Sequence, residues 1–225
     1  MATRPKMAVG EWYHCYTRGV DKRTVFETSD DFERFLAHLY VGNGTRNIRV
    51  SDQLNTRLQA VLANKNLERG EKLVEIGAYA LMPNHAHFII REIRERGIAH
   101  FMQKIFTVYT KYFNNKYGRT GAFASTFKSR HISDDRYLKQ VVPYVLLNPA
   151  KLFEPKWKTG QISPDAIEKK LLAYPYSSLL DFFGVDRPHN AIIDNSLNTY
   201  YDEIPSLSSM LRTAQEYYQE YNPQV

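Results

Sequence analysis

The sequence predicts an α+β domain in which an antiparallel β-sheet carries helices on one face. Short aromatic and aliphatic runs typical of strands are separated by longer segments with apolar residues at helical spacing. Two of the strand-like runs are joined by only a few residues, as in a hairpin. Hydrophobic residues make up 43% of the chain and charged residues 24%, which is the balance of an ordinary folded domain.

The N-terminal part supplies one strand, one helix and an insertion. The aromatic run from Trp12 to Arg18 predicts a strand that ends at the turn-like segment 19–21. Ser29 is expected to cap a helix that Gly42 ends, with acidic residues in its first turn. The polar and basic segment 43–70 is interpreted as an insertion with a short amphipathic helix. The apolar residues of this helix are Leu54, Leu58, Val61 and Leu62.

A hairpin and a second helix follow. The apolar runs 73–81 and 86–91 flank Met82-Pro83-Asn84, which predicts two antiparallel strands with a tight connection. From Ile98 to Phe113, apolar side chains recur at helical spacing while polar and basic residues occupy the other side. This segment is therefore predicted to be a helix with a partly basic face.

A last strand and a third helix complete the predicted domain. Residues 123–132 look extended, and Ser133 opens a helix that Pro149 stops. The order strand, helix, strand, strand, helix, strand is that of a ferredoxin-like, split βαβ sheet with two helices on one face. The third helix can then lie across the sheet. The domain is predicted to span residues 1–154, and residues 155–225 form a C-terminal extension without a readable role.

Composition limits the chemistry and the location. The single cysteine, Cys15, excludes an intramolecular disulfide and a cysteine-based zinc cluster, so any metal must be held by His, carboxylate or amide groups. The net charge of +6 permits binding to polyanions but is weak evidence for it. No apolar stretch approaches the ~20 residues that cross a bilayer, and segment 1–10 lacks the apolar run of a secretory signal. A cytoplasmic protein without membrane contact is expected.

A histidine pair marks the second hairpin strand. His85 and His87 occupy alternate positions, so in a strand both imidazoles project from one face and can reach one ion. Ala86, Phe88 and Ile90 alternate with them and can bury in a core on the opposite face. A His-x-His pair is common by chance, so it indicates a metal site only together with its neighbours.

A tyrosine and an asparagine share one side of the predicted third helix. Tyr144 and Asn148 stand at i and i+4, so their side chains project one turn apart. The spacing alone equally fits a core aromatic residue and an asparagine that ends the helix before Pro149. Pro143 removes a helical hydrogen bond just before Tyr144, and a kink there would change where the ring points.

Longer motifs surround these residues. Residues 81–90, Leu-Met-Pro-Asn-His-Ala-His-Phe-Ile-Ile, closely resemble the His-hydrophobic-His motif of the IS200-like single-tyrosine (HUH-type) transposases, with Ala86 as a small version of the hydrophobic residue. Segments 16–21, 109–129 and 144–149 resemble the same family in the same order. The resemblance covers roughly two thirds of the chain, and the decapeptide is far more specific than a histidine pair.

The resemblance implies a role for each of these residues. It implies that Tyr144 is the nucleophile, because the family's tyrosine lies in a helix shortly before an Asn-Pro pair; Tyr137 is the runner-up. It implies that Asn148, one turn after the tyrosine, completes a divalent metal site with His85 and His87. The implied ion is Mg²⁺ or Mn²⁺, with phosphate oxygens of the substrate completing the coordination sphere.

The implied activity is metal-dependent cleavage and strand transfer of single-stranded or hairpin DNA through a 5′-phosphotyrosine, in DNA transposition. A phenol with a pKa of ~10 is a poor nucleophile at neutral pH, so a metal that neutralises the scissile phosphate is required. The covalent link conserves the bond energy and permits rejoining. A basic, aromatic cleft is expected to hold the DNA. Its candidate residues are Arg18, Lys104, Lys111, Arg119, Lys128 and Arg130.

Three alternatives stay open at this point. A metal-dependent phosphodiesterase would use His85 and His87 to activate water, while Tyr144 only packs. A noncatalytic DNA-binding module derived from a transposase would retain charge and stacking without cleavage. A housekeeping relative would process repeated palindromic elements instead of moving itself. Both a monomer and a homodimer are compatible with the sequence.

Overall fold

A four-stranded antiparallel sheet forms the centre of the computed structural model, which describes residues 6–48, 57–123, 127–157 and 164–221. The strands lie in the order β2-β3-β1-β4, and each neighbouring pair is antiparallel. This is the ferredoxin-like, split βαβ arrangement, so the predicted fold class is confirmed. The strands are β1 Trp12–Arg18, β2 Val74–Met82, β3 His85–Glu92 and β4 Lys128–Ile132.

Eight α-helices lie in the part of the chain that the structure describes. They are α1 Ser29–Gly42, α2 Leu58–Ala63, α3 Gly97–Tyr117, α4 Asp135–Leu146, α5 Ala150–Phe153, α6 Pro164–Leu172, α7 Leu179–Phe182 and α8 Leu207–Tyr221. No helix within the described ranges is long and apolar enough to cross a membrane.

The sheet is covered on both faces, because side chains alternate along each strand. Tyr13 of β1 and Phe88 of β3 join the core that α1 and α3 complete. Trp12 and Ile89, the next residues along the same strands, join the core of α4 and α8. The first two long helices therefore share one face as predicted, and α4 lies across the other face against β2 and β3.

The predicted helix starts are each displaced by one residue. Thr28, rather than Ser29, is the N-cap of α1, and its N–H donates to Asp31 Oδ2 at 2.9 Å in a capping box. Asp134, rather than Ser133, caps α4, because its Oδ1 accepts a hydrogen bond from Tyr137 N at 2.8 Å. In both cases the geometry of a side-chain hydrogen bond selects one polar residue among several adjacent candidates.

The end of α4 also differs from the prediction. The helix continues through Pro143, and the N–H of Leu147 donates to the Pro143 carbonyl oxygen at 2.9 Å. It ends at Leu146, before Pro149, which is the N-cap of α5. Proline supplies a helical φ without needing an amide partner, so it suits the start of a helix better than its interior. Asn148 therefore lies in the turn between two helices.

The predicted insertion contains the short helix α2, in which Leu58 and Val61 are buried; Leu54 lies outside the described residues. Asn43 fixes the base of this segment to β2. Its Oδ1 accepts hydrogen bonds from the N–H groups of Leu73 (3.1 Å) and Val74 (3.0 Å). The first residue of the insertion is thus held at the start of β2.

Residues 176–178 of the C-terminal extension pair with the backbone of β2. The N–H of Leu81 donates to the Tyr176 carbonyl oxygen, and the N–H of Ser178 donates to that of Tyr79, both at 2.9 Å. These bonds cover the outer edge of β2, which would otherwise present unpaired backbone groups. Farther along the chain, α8 packs against α4. The extension therefore determines how much of α4 is open to solvent.

Asp31 is a buried carboxylate that links α1 to α3. Its oxygens accept hydrogen bonds from Tyr112 Oη (2.6 Å), Tyr117 Oη (2.6 Å) and Lys116 Nζ (2.7 Å). Burial alone would raise its pKa, but the hydrogen bonds from Lys116 and the two tyrosines outweigh burial and lower the pKa to about 2. The ionised carboxylate therefore stabilises the folded protein.

We expect Asp31→Asn to lower the free energy of unfolding by about 2 kcal/mol at pH 7, from a shift of nearly two pKa units. The folded pKa is depressed, so this stabilisation is complete above the unfolded pKa of 3.8 and disappears as the pH falls toward 2. Urea denaturation between pH 7 and pH 3 measures the difference. Asp30→Asn is the control, because the Asp30 side chain is 61% exposed. A pH-independent difference for Asp31→Asn contradicts the assignment.

Candidate functional site

The two histidines of β3 face α4. His85 and His87 are buried, at 4% and 0% exposure, on the side of the sheet opposite to the Ala86 and Phe88 side chains. Their rings are edge to face with centroids 5.1 Å apart. Strand alternation therefore places both imidazoles as the sequence predicted, on a strand fixed by pairing with β1 and β2.

The end of α4 brings Tyr144 and Asn148 to these histidines. The Tyr144 ring lies edge-on to His87 with centroids 5.7 Å apart, and Asn148 Oδ1 lies 3.3 Å from His85 Nε2. A hydrogen bond also joins the side chains of Asn148 and Tyr144. Although Asn148 lies beyond the last residue of α4, the turn keeps it one turn away from Tyr144. The structure thus brings together four residues predicted from two separate sequence motifs.

Each imidazole has a second neighbour at Nδ1. His85 Nδ1 lies 2.6 Å from Asn84 Oδ1, and His87 Nδ1 lies 2.9 Å from Nε2 of His14 in β1. His14 is 2% exposed, and burial, assisted by the nearby Arg130 charge, lowers its pKa to about 3. Sequence analysis did not identify His14. The position of His14 in β1 was the available signal. It lies two residues before Tyr16, so the two side chains project from the same face of the sheet. Because Tyr16 pairs with His87 of β3, this is also the face of His87.

Tyr144 is covered by α8. Its side chain is 1% exposed, and its ring lies 4.8 Å from that of Tyr217 and 6.1 Å from that of Tyr218, between centroids. Burial, with the nearby Tyr218, raises the pKa of the Tyr144 phenol above its usual value, whereas the hydrogen bond with Asn148 lowers it. The phenol is therefore neutral at pH 7 in this arrangement.

Side chains of β3 and of the end of α4 carry donor atoms that a divalent cation can use. Within the described ranges, no group of three or more His, Cys, Asp or Glu side chains is arranged to hold a metal. His85, His87 and the Asn148 amide oxygen offer a mixed set of nitrogen and oxygen donors. The 3.3 Å between Asn148 Oδ1 and His85 Nε2 is close to the ~3 Å between adjacent ligands of an octahedral ion with ~2.1 Å bonds. A set with few protein ligands leaves positions for phosphate oxygens or water.

Comparison with known proteins gives the family. The model of the IS200-like transposases matches residues 31–146, just over half of the chain, from α1 to the end of α4. The chain belongs to this family. Its function is therefore related to DNA transposition, and it is a DNA-processing enzyme by family. The matched segment contains His85, His87 and Tyr144, whereas Asn148 lies just beyond it.

The structure of the chain is similar to that of the REP-associated tyrosine transposase bound to a REP hairpin, with a TM-score of 0.49 and 15% sequence identity. The alignment covers 84% of this chain and 89% of the other chain. Among curated proteins, no match was found.

Tyr137, the runner-up for the nucleophile, lies two helical turns before Tyr144 in α4. Its hydroxyl lies 3.1 Å from that of Tyr217, and its ring also contacts Tyr221. The Arg130 guanidinium lies over the Tyr137 ring, 5.3 Å from its centroid. Tyr137 therefore packs between α8 and β4, whereas Tyr144 packs against the histidines.

Three of the predicted DNA-contacting cations lie on the same face as the histidines. Arg18 is paired with His85 across β1 and β3. Lys128 lies on the edge strand β4 with its ammonium 6.0 Å from the Tyr16 ring centroid. Arg130, two residues later, extends over the ring of Tyr221 at 4.8 Å. Lys128 and Arg130 are exposed, so they border the histidine face at an open edge of the sheet.

The other three predicted cations lie on the opposite side of the sheet, in or just after α3. Lys104 Nζ donates to the carbonyl oxygens of Gly44 (2.6 Å) and Arg46 (3.1 Å). Arg119 pairs with Glu27 at 2.9 Å. Lys111 is exposed on α3 and lines a surface cavity beside α1. The structure therefore divides the six predicted residues between the two faces of the sheet.

Proposed function

We propose that this IS200-like transposase cleaves single-stranded or hairpin DNA and transfers the cut strand through a covalent bond to Tyr144. The observation that carries the proposal is the contact of Tyr144 and Asn148, at the end of α4, with His85 and His87 of β3. A phenol, an amide and two imidazoles are therefore neighbours. A tyrosine nucleophile beside a divalent metal would need these kinds of groups.

Each group has a distinct role in this proposal. His85, His87 and Asn148 would hold Mg²⁺ or Mn²⁺, which when bound would supply positive charge to offset the phosphate and the attacking oxygen. Tyr144 Oη forms a bond to phosphorus, its proton is released, and the bond from phosphorus to the 3′ oxygen breaks. The departing 3′ oxygen takes up a proton. The number of phosphoester bonds is unchanged, so a 3′-hydroxyl can reverse the step on a new strand.

Attack by Tyr144 requires a change at α8. A side chain with 1% exposure cannot contact a DNA phosphate while Tyr217 and Tyr218 cover it. Burial also raises the pKa of the phenol, so forming the phenolate is more costly than in water. Movement of the α8 side chains would expose the hydroxyl and admit the charged phosphate together. This coverage is also the observation that favours the alternative, a phosphodiesterase that uses water.

The DNA would enter along the open edge of the histidine face. Lys128 and Arg130 are exposed there, and the partly exposed Tyr16 ring lies beside Lys128. Cations contact phosphates, and an aromatic face stacks on unpaired bases regardless of sequence. A single-stranded segment offers phosphates and unpaired bases at once, whereas the bases of an intact duplex are already stacked on one another. The open edge therefore suits single-stranded DNA or the unpaired region beside a hairpin.

Binding to single-stranded DNA is expected to weaken as salt increases, because bound phosphates release counterions. We expect Lys128→Ala to reduce the slope of log affinity against log salt by about 0.7, the value for one contact with a single strand. Fluorescence anisotropy between 50 and 300 mM NaCl gives the slope. Lys111→Ala is the matched control, since Lys111 lies on the opposite side of the sheet. A salt-independent affinity contradicts nucleic-acid binding at a basic surface.

End-labelled hairpin DNA tests the proposed chemistry. A 5′-phosphotyrosine retains the fragment on the 3′ side of the cut, so a 3′-end label should migrate with the protein in a denaturing gel after incubation with Mn²⁺. A 5′-end label should instead be released on a fragment ending in a 3′-hydroxyl. Cleavage without retained label indicates a phosphodiesterase. A mobility shift without cleavage indicates a noncatalytic DNA-binding module.

A further inference from the structure

The two β3 histidines are both engaged at the same ring nitrogen. Nδ1 of His85 lies 2.6 Å from Asn84 Oδ1, and Nδ1 of His87 lies 2.9 Å from His14 Nε2. In each ring the remaining nitrogen is Nε2, the atom that in His85 lies 3.3 Å from Asn148 Oδ1. A neutral imidazole carries one N–H, so the partner at one nitrogen determines whether the other can bind a metal.

The Asn84 side chain has a defined orientation, which determines the tautomer of His85. Its Nδ2 donates to the Lys22 carbonyl oxygen at 3.1 Å, so Oδ1 is the atom that faces His85. An amide oxygen only accepts hydrogen bonds, and His85 Nδ1 must therefore carry the proton. In the neutral ring, the lone pair is then on Nε2.

The pair formed by His14 and His87 has two possible arrangements. If His14 Nε2 donates, His87 Nδ1 accepts, and the His87 proton resides on Nε2, where it blocks metal binding. If His87 Nδ1 donates, His14 Nε2 accepts, and His87 Nε2 has a lone pair for the metal. One hydrogen bond therefore couples the tautomers of the two rings, and only the second arrangement suits the metal site proposed above.

We propose that His14 is a positioning residue that accepts the Nδ1–H of His87 and so presents His87 Nε2 to the metal. This inference rests on the proposed function, since it concerns a ligand of the proposed metal site. His14 acts through His87 and has no contact with the metal or the DNA in this role. His14 thus determines the tautomer of His87, as Asn84 determines the tautomer of His85.

The surroundings of His14 favour a fixed ring. Its backbone is paired with Ile89 of β3 on one side and with Arg130 of β4 on the other. Its ring is stacked on His87 with centroids 5.2 Å apart and an interplanar angle of 19°, and it meets the Tyr144 ring edge-on at 5.8 Å. A ring held on a central strand and buried among aromatic neighbours keeps Nε2 directed at His87. An outer-shell partner of a metal ligand requires such a fixed direction.

Two substitutions separate hydrogen bonding from packing. His14→Phe keeps an aromatic ring but removes the acceptor, so we expect Mn²⁺ to bind about tenfold or more weakly, as for loss of an outer-shell partner. His14→Gln places an amide oxygen near the former Nε2 position and should bind Mn²⁺ within about threefold of the wild type. Electron paramagnetic resonance of free Mn²⁺ measures both affinities. Unchanged affinity in His14→Phe, or equal weakening in both folded variants, overturns the positioning role.

Nitrogen-15 NMR of the histidine rings provides a readout that does not depend on metal. We expect wild-type His87 to show a protonated Nδ1 and His14→Phe to show a mixture of tautomers at His87. A protonated Nε2 on neutral wild-type His87 overturns the inference. The variant His85→Ala distinguishes an error in the inferred tautomer of His87 from an error in the proposed function. If His85→Ala binds Mn²⁺ as tightly as the wild type, the proposed metal site is wrong, whatever the tautomer of His87.

Discussion

Replacement of Tyr144 by phenylalanine is expected to abolish the covalent protein–DNA adduct and to reduce strand cleavage at least about a thousandfold, as for loss of a nucleophile. The substitution removes only the hydroxyl, which is hydrogen-bonded to Asn148. The ring contacts with His87 and Tyr217 are unchanged, so thermal stability and metal binding should remain close to the wild type. A 3′-labelled hairpin in a denaturing gel, with circular dichroism of the same samples, measures each effect.

Tyr137→Phe is the matched control for this substitution. Tyr137 lies on the same helix, and its hydroxyl also has one close partner, Tyr217 Oη at 3.1 Å. It should form the adduct at a rate within a few-fold of the wild type. The opposite pattern, in which Tyr144→Phe forms the adduct and Tyr137→Phe does not, contradicts the choice of nucleophile. It would also remove the i, i+4 spacing from the nucleophile as support for Asn148, leaving only the contact of its Oδ1 with His85 Nε2.

The fold could be predicted because its signals are local. The hairpin depends on two apolar runs with Pro83 and Asn84 between them, and the split βαβ order depends only on the sequence of elements. The helix ends were less accurate. Thr28 caps α1 in place of Ser29, and α4 ends at Leu146, because several adjacent residues could fill each terminal position. Hydrogen-bond geometry that is absent from a linear pattern selects among them.

The sequence predicted the position of the β3 histidines but not the contacts that surround them and Tyr144. Alternation with Phe88 was enough to place His85 and His87 on one face of β3. The coverage of Tyr144 by α8 was not predicted, because it joins residues more than 70 positions apart through an extension with weak sequence signals. His14 was missed for a similar reason. Its partner lies 73 residues away, and a single histidine among aromatic residues resembles a core residue.

The predicted basic residues show another limit of a linear pattern. A positive charge can be read from the sequence, but the face of the sheet to which it belongs depends on packing. Lys104 and Lys128 were equivalent candidates, yet Lys104 donates to two backbone carbonyl oxygens beside α3, and Lys128 is exposed at the edge of the histidine face. A cation with two carbonyl partners has less freedom to contact phosphate. The exposed cations on β4 are therefore the better candidates for DNA contact.

The histidines themselves are expected to be needed for cleavage but not for DNA binding. We expect His85→Ala or His87→Ala to abolish cleavage, because either change removes a proposed ligand of the ion that offsets the charge of the phosphate. Affinity for DNA should stay within several-fold of the wild type, since exposed lysines and arginines supply most phosphate contacts. Single-turnover cleavage in Mn²⁺ and anisotropy binding with the same hairpin measure the two effects separately.

His131→Ala is the control for the histidine variants, since His131 is exposed on β4 and pairs with Glu11 at 2.9 Å. It should cleave like the wild type. His85→Ala is the cleaner of the two site variants, because His87 is fully buried and its loss also leaves His14 Nε2 without a partner. If His85→Ala keeps its fold and still cleaves at the wild-type rate, the metal assignment is wrong. Loss of both cleavage and DNA binding in a folded His85→Ala protein would instead place His85 in the DNA contact surface.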